Sequence, residues 1–149
     1  MPIPPQVKFG LALALAGALG LVPMAPVLAA DEPPNIIENV HIVSSTIDVH
    51  TRLPTVVIGL DCLLDAGFLR IRVTLTQKVA GSISSSQQTS GGSCVVGTQP
   101  EFAVAFGPQQ GTFKPGLADL AGFAAANDFT GFGDDVHSIQ APGIHMAPH

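Results

Sequence analysis

From Leu69 to Gln77 the chain reads Leu-Arg-Ile-Arg-Val-Thr-Leu-Thr-Gln, so Leu69, Ile71, Val73 and Leu75 fall on one side and Arg70, Arg72, Thr74 and Thr76 on the other. A two-residue repeat with β-branched members predicts a strand with one face on a core and the other in water. A helix would scatter the same apolar residues round its circumference. Thr55 to Cys62 repeats the theme, aligning Val56, Ile58 and Leu60 with Cys62, and Phe102, Val104 and Phe106 align in the same way. Asn39 to Val43 and Thr46 to His50 are rich in Val, Ile and Thr, which predicts one long bent strand or two short ones. Cys94 to Val96, Gly116 to Ala124 and Asp135 to Gln140 complete the set of predicted strands.

Between these segments lie turn signals. Asp65-Ala66-Gly67 has the composition of a short turn, Gly107 to Gly111 that of a longer one, and Lys114-Pro115-Gly116 that of a type II turn. Residues 80–93 are dominated by Ser and Gly and predict a long loop or a flexible edge strand. Ala118 to Ala126 is Ala-rich, but Gly122 and the following Asn127 and Asp128 make it a poor helix. The pattern predicts an all-β fold: an immunoglobulin-like antiparallel β-sandwich of about seven strands, with a small β-barrel as the alternative. The chain has no Trp, so Phe68, Phe102, Phe106, Phe113 and Phe123 become the predicted large core residues.

The amino-terminal pattern is different. Phe9 to Val22 is wholly apolar or Gly, Lys8 precedes it, and Val27-Leu28-Ala29-Ala30 leads into Asp31-Glu32. Small residues closing an apolar run just before charge predict a secretory signal peptide over residues 1–29. Residues 30–35 then form a short linker, 36–140 the β-sandwich domain, and 141–149 a flexible tail containing His. In an oxidising compartment the two cysteines, Cys62 and Cys94, form one disulfide. The expected location is secreted and extracellular, with no membrane segment after the signal is cleaved.

Composition narrows the function classes. The sequence is 46% hydrophobic and 11% charged, with a formal net charge of -5, which excludes a disordered polyelectrolyte. Its Lys and Arg residues total 6, too few and too dispersed to track a phosphate backbone, so no nucleic-acid partner is expected.

Signatures of catalysis are missing from the expected places. No Gly-x-Ser-x-Gly string occurs, and Gly107 to Lys114 fails the phosphate-loop spacing, Pro115 following Lys114. Asp61 and Asp65 near the first cysteine, and the Asp134-Asp135 pair, read as turn and solubility residues; without Trp or Tyr the aromatic platforms of a glycosidase cleft are hard to build. His137, His145 and His149, with Met146 beside them, are the candidate metal ligands, since imidazole with thioether suits copper and imidazole with carboxylate suits zinc. Arg70 and Arg72 are candidate ligand-binding residues that could recognise an anionic surface such as a wall polymer.

Leu-Asp-Cys, then Leu-Arg-Ile-Arg-Val-Thr-Leu-Thr-Gln, a Ser/Gly segment, Ser-Cys-Val-Val-Gly-Thr, Phe-Ala-Val-Ala-Phe-Gly and Gly-Thr-Phe-Lys-Pro-Gly-Leu-Ala together resemble small secreted actinobacterial β-sandwich proteins, over residues 36–126. The resemblance implies location, disulfide and fold, and carries no catalytic residue. The function expected is that of a secreted, non-enzymatic binding or structural module needing no cofactor. Its partner would be an extracellular protein or a cell-wall polymer. The alternatives are a weak metal-binding protein using the carboxy-terminal histidines, or a secreted hydrolase whose site these motifs do not reveal.

Overall fold

A computed structural model of the chain describes residues 34–107, 110–128 and 134–149. The expected signal peptide, 1–29, and residues 30–33 of the linker lie outside the described residues. Among the described residues there are seven strands and no helix: β1 Ile37–Ile47, β2 Pro54–Cys62, β3 Ala66–Val79, β4 Ser82–Cys94, β5 Glu101–Ala105, β6 Gly116–Asn127 and β7 Asp134–Pro148. Their order is β4-β3-β6-β7-β1-β2-β5. The all-β expectation of about seven strands with one disulfide holds.

The sheet runs on from β6 to β1 because β7 changes partners. Along most of its length it pairs antiparallel with β6, from Asn127↔Asp134 to Gly116↔Met146. At its end it runs parallel to β1, with Thr46 opposite Ala147 and Ile47 opposite Pro148. The sheet is therefore mixed rather than wholly antiparallel, and it curls until it is nearly closed and barrel-like. On the far side β4 and β5 meet through sparse contacts, where Phe102 of β5 lies over Gly92 of β4: a Cβ on that glycine would stand 2.9 Å from Phe102 Cε1. The Cys62–Cys94 disulfide joins the ends of β2 and β4 beside this seam, with Cα atoms 5.6 Å apart.

The segment 141–149, expected to be a flexible tail, instead forms the second half of β7 as far as Pro148, with His149 following it. Pro142-Gly143, which has the composition of a turn, forms a bulge: the register moves from Leu120↔Ala141 to Ala118↔Ile144, with Gly143 at φ 68. Asp119 secures it by accepting the Gly143 N–H at 2.8 Å. One extra residue flips the side-chain alternation, so Ile139 points inward before the bulge and Met146 after it.

Strand β3 keeps its predicted rhythm, Leu69, Ile71, Val73 and Leu75 all being buried against Val56, Ile58 and Leu60 of β2 and the rest of the core. The same parity decides the phenylalanines. Phe106 and Phe113 are core residues and Phe102 packs against the core, but Phe68 is 54% exposed and Phe123 half-buried. Both lie on the outward positions of their strands, and strand alternation overrides their hydrophobicity. Apart from Leu120, the inward positions of β6 are small, Ala118, Gly122, Ala124 and Ala126, which lets the chain pass close to β3. A Cβ on Gly122 would collide with the Arg72 carbonyl and lie 2.7 Å from Val73 Cα.

Ser/Gly-rich β4 is a full edge strand, in register with β3 from Ala66↔Cys94 to Val79↔Ser82. Its inward serines carry hydrogen bonds in place of apolar bulk. Ser84 Oγ donates to the Thr112 carbonyl at 2.9 Å and Ser86 Oγ to the Gly107 carbonyl at 2.5 Å, stitching the β5–β6 connection over the end of the core. Gln77, the next inward residue of β3 after Leu75, is 2% exposed and performs the same task from the other side. Its Nε2 donates to the carbonyls of Lys114 at 2.8 Å and Leu117 at 3.2 Å, and its Oε1 accepts the Lys114 N–H at 2.8 Å.

Candidate functional site

The outward face of β3, β6 and β7 brings the two candidate arginines onto one surface. Alternation along β3 places Phe68, Arg70 and Arg72 on the solvent side, and all three are exposed. Across β6, Arg70 stands opposite Ala125 and Arg72 opposite Phe123. Further across β7, Ala125 faces Val136 and Phe123 faces Ser138. The Arg70 guanidinium lies over the Phe68 ring, 6.0 Å from its centroid, at the reach of a cation–π contact. Arg72 Nη2 donates to Gln87 Oε1 of β4 at 3.2 Å. Beside this pair Phe68, Arg70, Ala125, Ala126, Asn127 and Asp134 line an open cavity of about 370 Å³. Its floor is alanine and its walls combine an arene, a guanidinium and amide and carboxylate groups.

The three candidate histidines do not come together. His137 precedes the β7 bulge on an inward-side position, while His145, after it, is exposed and supplies its carbonyl to Ser45 Oγ at 2.8 Å. His149 is held at the end of β1 by its backbone, its N–H donating to the Ile47 carbonyl at 3.0 Å. His137 Nε2 lies 2.9 Å from Asp135 Oδ1, but without the alignment of a hydrogen bond, so the pair is a close polar contact only. Among the described residues no three His, Cys, Asp or Glu side chains are arranged to hold a metal ion.

The four carboxylates marked as turn or solubility residues each hold backbone or side-chain donors. Asp135 Oδ2 accepts the N–H groups of Ile36 and Ile37 at 2.7 and 2.8 Å, fixing the start of β1. Asp65 Oδ1 accepts the Val96 N–H at 2.8 Å, Asp134 Oδ1 the Asn127 amide at 2.5 Å, and Asp61 Oδ2 the Asn39 amide at 2.6 Å.

A second polar cleft, which sequence reasoning missed, lies on the outward face of β1, β2 and β5. His41 of β1 stands opposite Gly59 of β2, and Gly59 stands opposite Glu101 of β5, so the three share one row across the sheet. Asp61 follows two residues along β2 on the same face. Asn39, His41, Gly59, Leu60, Asp61, Gln99 and Glu101 line a cavity of about 360 Å³. His41 Nδ1 is 2.6 Å from the Asn39 carbonyl oxygen. That oxygen only accepts, so Nδ1 carries the proton and Nε2 of the neutral ring is an acceptor. A lone His in a β-branched segment gives no local signal of this. Only the strand register reveals it.

No family model matches the chain, and no curated protein matches it.

Proposed function

We propose that the protein is an exported, non-enzymatic binding module that holds an acidic polymer, such as a wall polysaccharide, on the outward face of β3, β6 and β7. The observation that carries this reading is the exposed Phe68–Arg70 pair beside an alanine floor, with Arg72 next along the same strand. An arene flanked by a guanidinium suits a sugar ring bearing a carboxylate or phosphate, the ring stacking and the anion taking a charge-assisted hydrogen bond. Export is supported by the apolar run before Asp31 and by the Cys62–Cys94 disulfide. Among the described residues no helix is long and apolar enough to cross a membrane. We infer an immunoglobulin-like sandwich from the strand order, β5-β2-β1 in one layer and β4-β3-β6-β7 in the other, with β1 meeting β7 in parallel.

The folded, disulfide-bonded protein passed over immobilised polygalacturonate should be retained and should elute as salt screens the arginines. Neutral dextran should not retain it. A double Arg70→Ala, Arg72→Ala variant should lose retention with its melting temperature unchanged. Equal retention on dextran, or undiminished retention of the variant, would overturn the assignment. Turnover of an ester, peptide or glycan, abolished by replacing one polar residue without unfolding, would overturn its non-enzymatic part.

A further inference from the structure

We propose that the His41–Gly59–Glu101 row is a binding site for a primary ammonium group, separate from the acidic-polymer face. The site begins with a glycine where a strand has no need of one. Gly59 sits in the middle of β2, is paired on both sides, and is not among the glycines with positive φ. A mid-strand glycine weakens a strand and marks a close approach. Here what approaches is the His41 ring together with a Val43 methyl: a Cβ on Gly59 would stand 3.0 Å from Cε1 and Nε2 of His41 and from Cγ2 of Val43. The missing side chain lets the imidazole lie across β2, on the cavity that Glu101 lines from β5.

Three residues with acceptor atoms line that cavity. In the neutral ring His41 Nε2 accepts, because Nδ1 is committed to the Asn39 carbonyl. Asp61 is held by the Asn39 amide through Oδ2, leaving Oδ1 for a ligand. Glu101 is exposed on β5 on the other side of Gly59. The lining contains two carboxylates and no Lys or Arg. A primary ammonium matches this set, having three N–H donors, one positive charge and no acceptor. A metal ion does not, because these side chains are not arranged to hold one. Lysine side chains and amino sugars both supply the group.

The test is an NMR titration of the folded, disulfide-bonded protein with two probes, Nα-acetyl-lysine methylamide and glucosamine, and with their N-acetylated counterparts. Either amine should shift the Gly59 and Glu101 amides and the His41 ring saturably; which amine binds more tightly distinguishes the two sources. The acetylated forms should not bind. Glu101→Gln replaces an exposed side chain and keeps the strand intact, and it should weaken binding about tenfold, the usual scale for one charged partner. The site is refuted if the amines leave these signals unmoved, if the acetylated probes bind equally, or if Glu101→Gln binds as tightly as the parent. Saturable shifts with Zn(II) and none with the amines would also overturn it, in favour of a metal.

Discussion

Replacing Gln77 by leucine keeps the volume of the most polar residue on the inward face of β3 and removes everything its amide does. Three hydrogen bonds disappear, two to the carbonyls of Lys114 and Leu117 and one from the Lys114 N–H. Each is worth about 1 kcal/mol net, and an orphaned donor adds about 1 kcal/mol or more. The Lys114 end of these bonds is only part-buried, so water relieves some of that cost. A better-buried apolar side chain offsets another part. The balance is a destabilisation of about 2 kcal/mol, which lowers the melting temperature of a domain this size by roughly 10 °C. Thermal unfolding followed by circular dichroism measures it directly.

Gln77→Glu sharpens the test. The introduced carboxylate still accepts from Lys114 but faces two carbonyls it cannot donate to, so burial and those oxygens raise its folded pKa above its unfolded value. Stability relative to the parent should therefore recover as pH falls, when the carboxyl protonates and donates, and decline as pH rises through the raised folded pKa. A Gln77→Leu melting temperature within 2 °C of the parent, or a pH-independent Gln77→Glu deficit, would refute the role given to this residue.

Three further outcomes follow from the same structure. Replacing both Cys62 and Cys94 by serine should cost about 3–4 kcal/mol in denaturant unfolding, from a sequence separation of 32 and the chain-entropy relation, while intact mass before and after reduction reports the bridge itself. Gly122→Ala drives a methyl into the β3 backbone and should destabilise by about 2–3 kcal/mol, whereas the same change at Gly97, whose added Cβ meets nothing within 4 Å, costs only the strain of its φ of 80. Asp48 accepts backbone N–H groups from Thr51 and His50 in the β1–β2 turn, which hold its carboxyl below the ordinary 3.8. An NMR titration should find its midpoint there, with the turn's stabilisation complete above the ordinary value and lost as pH falls through the folded pKa.

Much of this fold was legible wherever one strand obeyed a strict alternation. β2 and β3 could be placed, and their inward residues named, from parity alone. The same parity sends Phe68 outward, but a bulky aromatic argues locally for the core, and only pairing with β6 decides the conflict. Gly143 illustrates a different limit: Pro-Gly encodes a positive-φ kink, and whether that kink ends a strand or bulges it depends on Asp119 being opposite to accept its N–H. Ser/Gly composition left β4 open between a loop and an edge strand, because its hydroxyls bond a connection that adjoins it only in three dimensions. Arg70 and Arg72 were visible as a pair, but their arene and alanine neighbours came from β3 parity and from β6. The His41 cleft was invisible because His41, Gly59 and Glu101 meet only through strand register.

The parallel contact between β1 and the end of β7 has a consequence for biogenesis. Among the described strands β1 comes first in the sequence and β7 last, so the backbone bonds that join them are of very long range and form only after both strands have been made. A nascent chain emerging in order cannot complete this contact ahead of β7. The sheet closes around its core only once β7 has arrived.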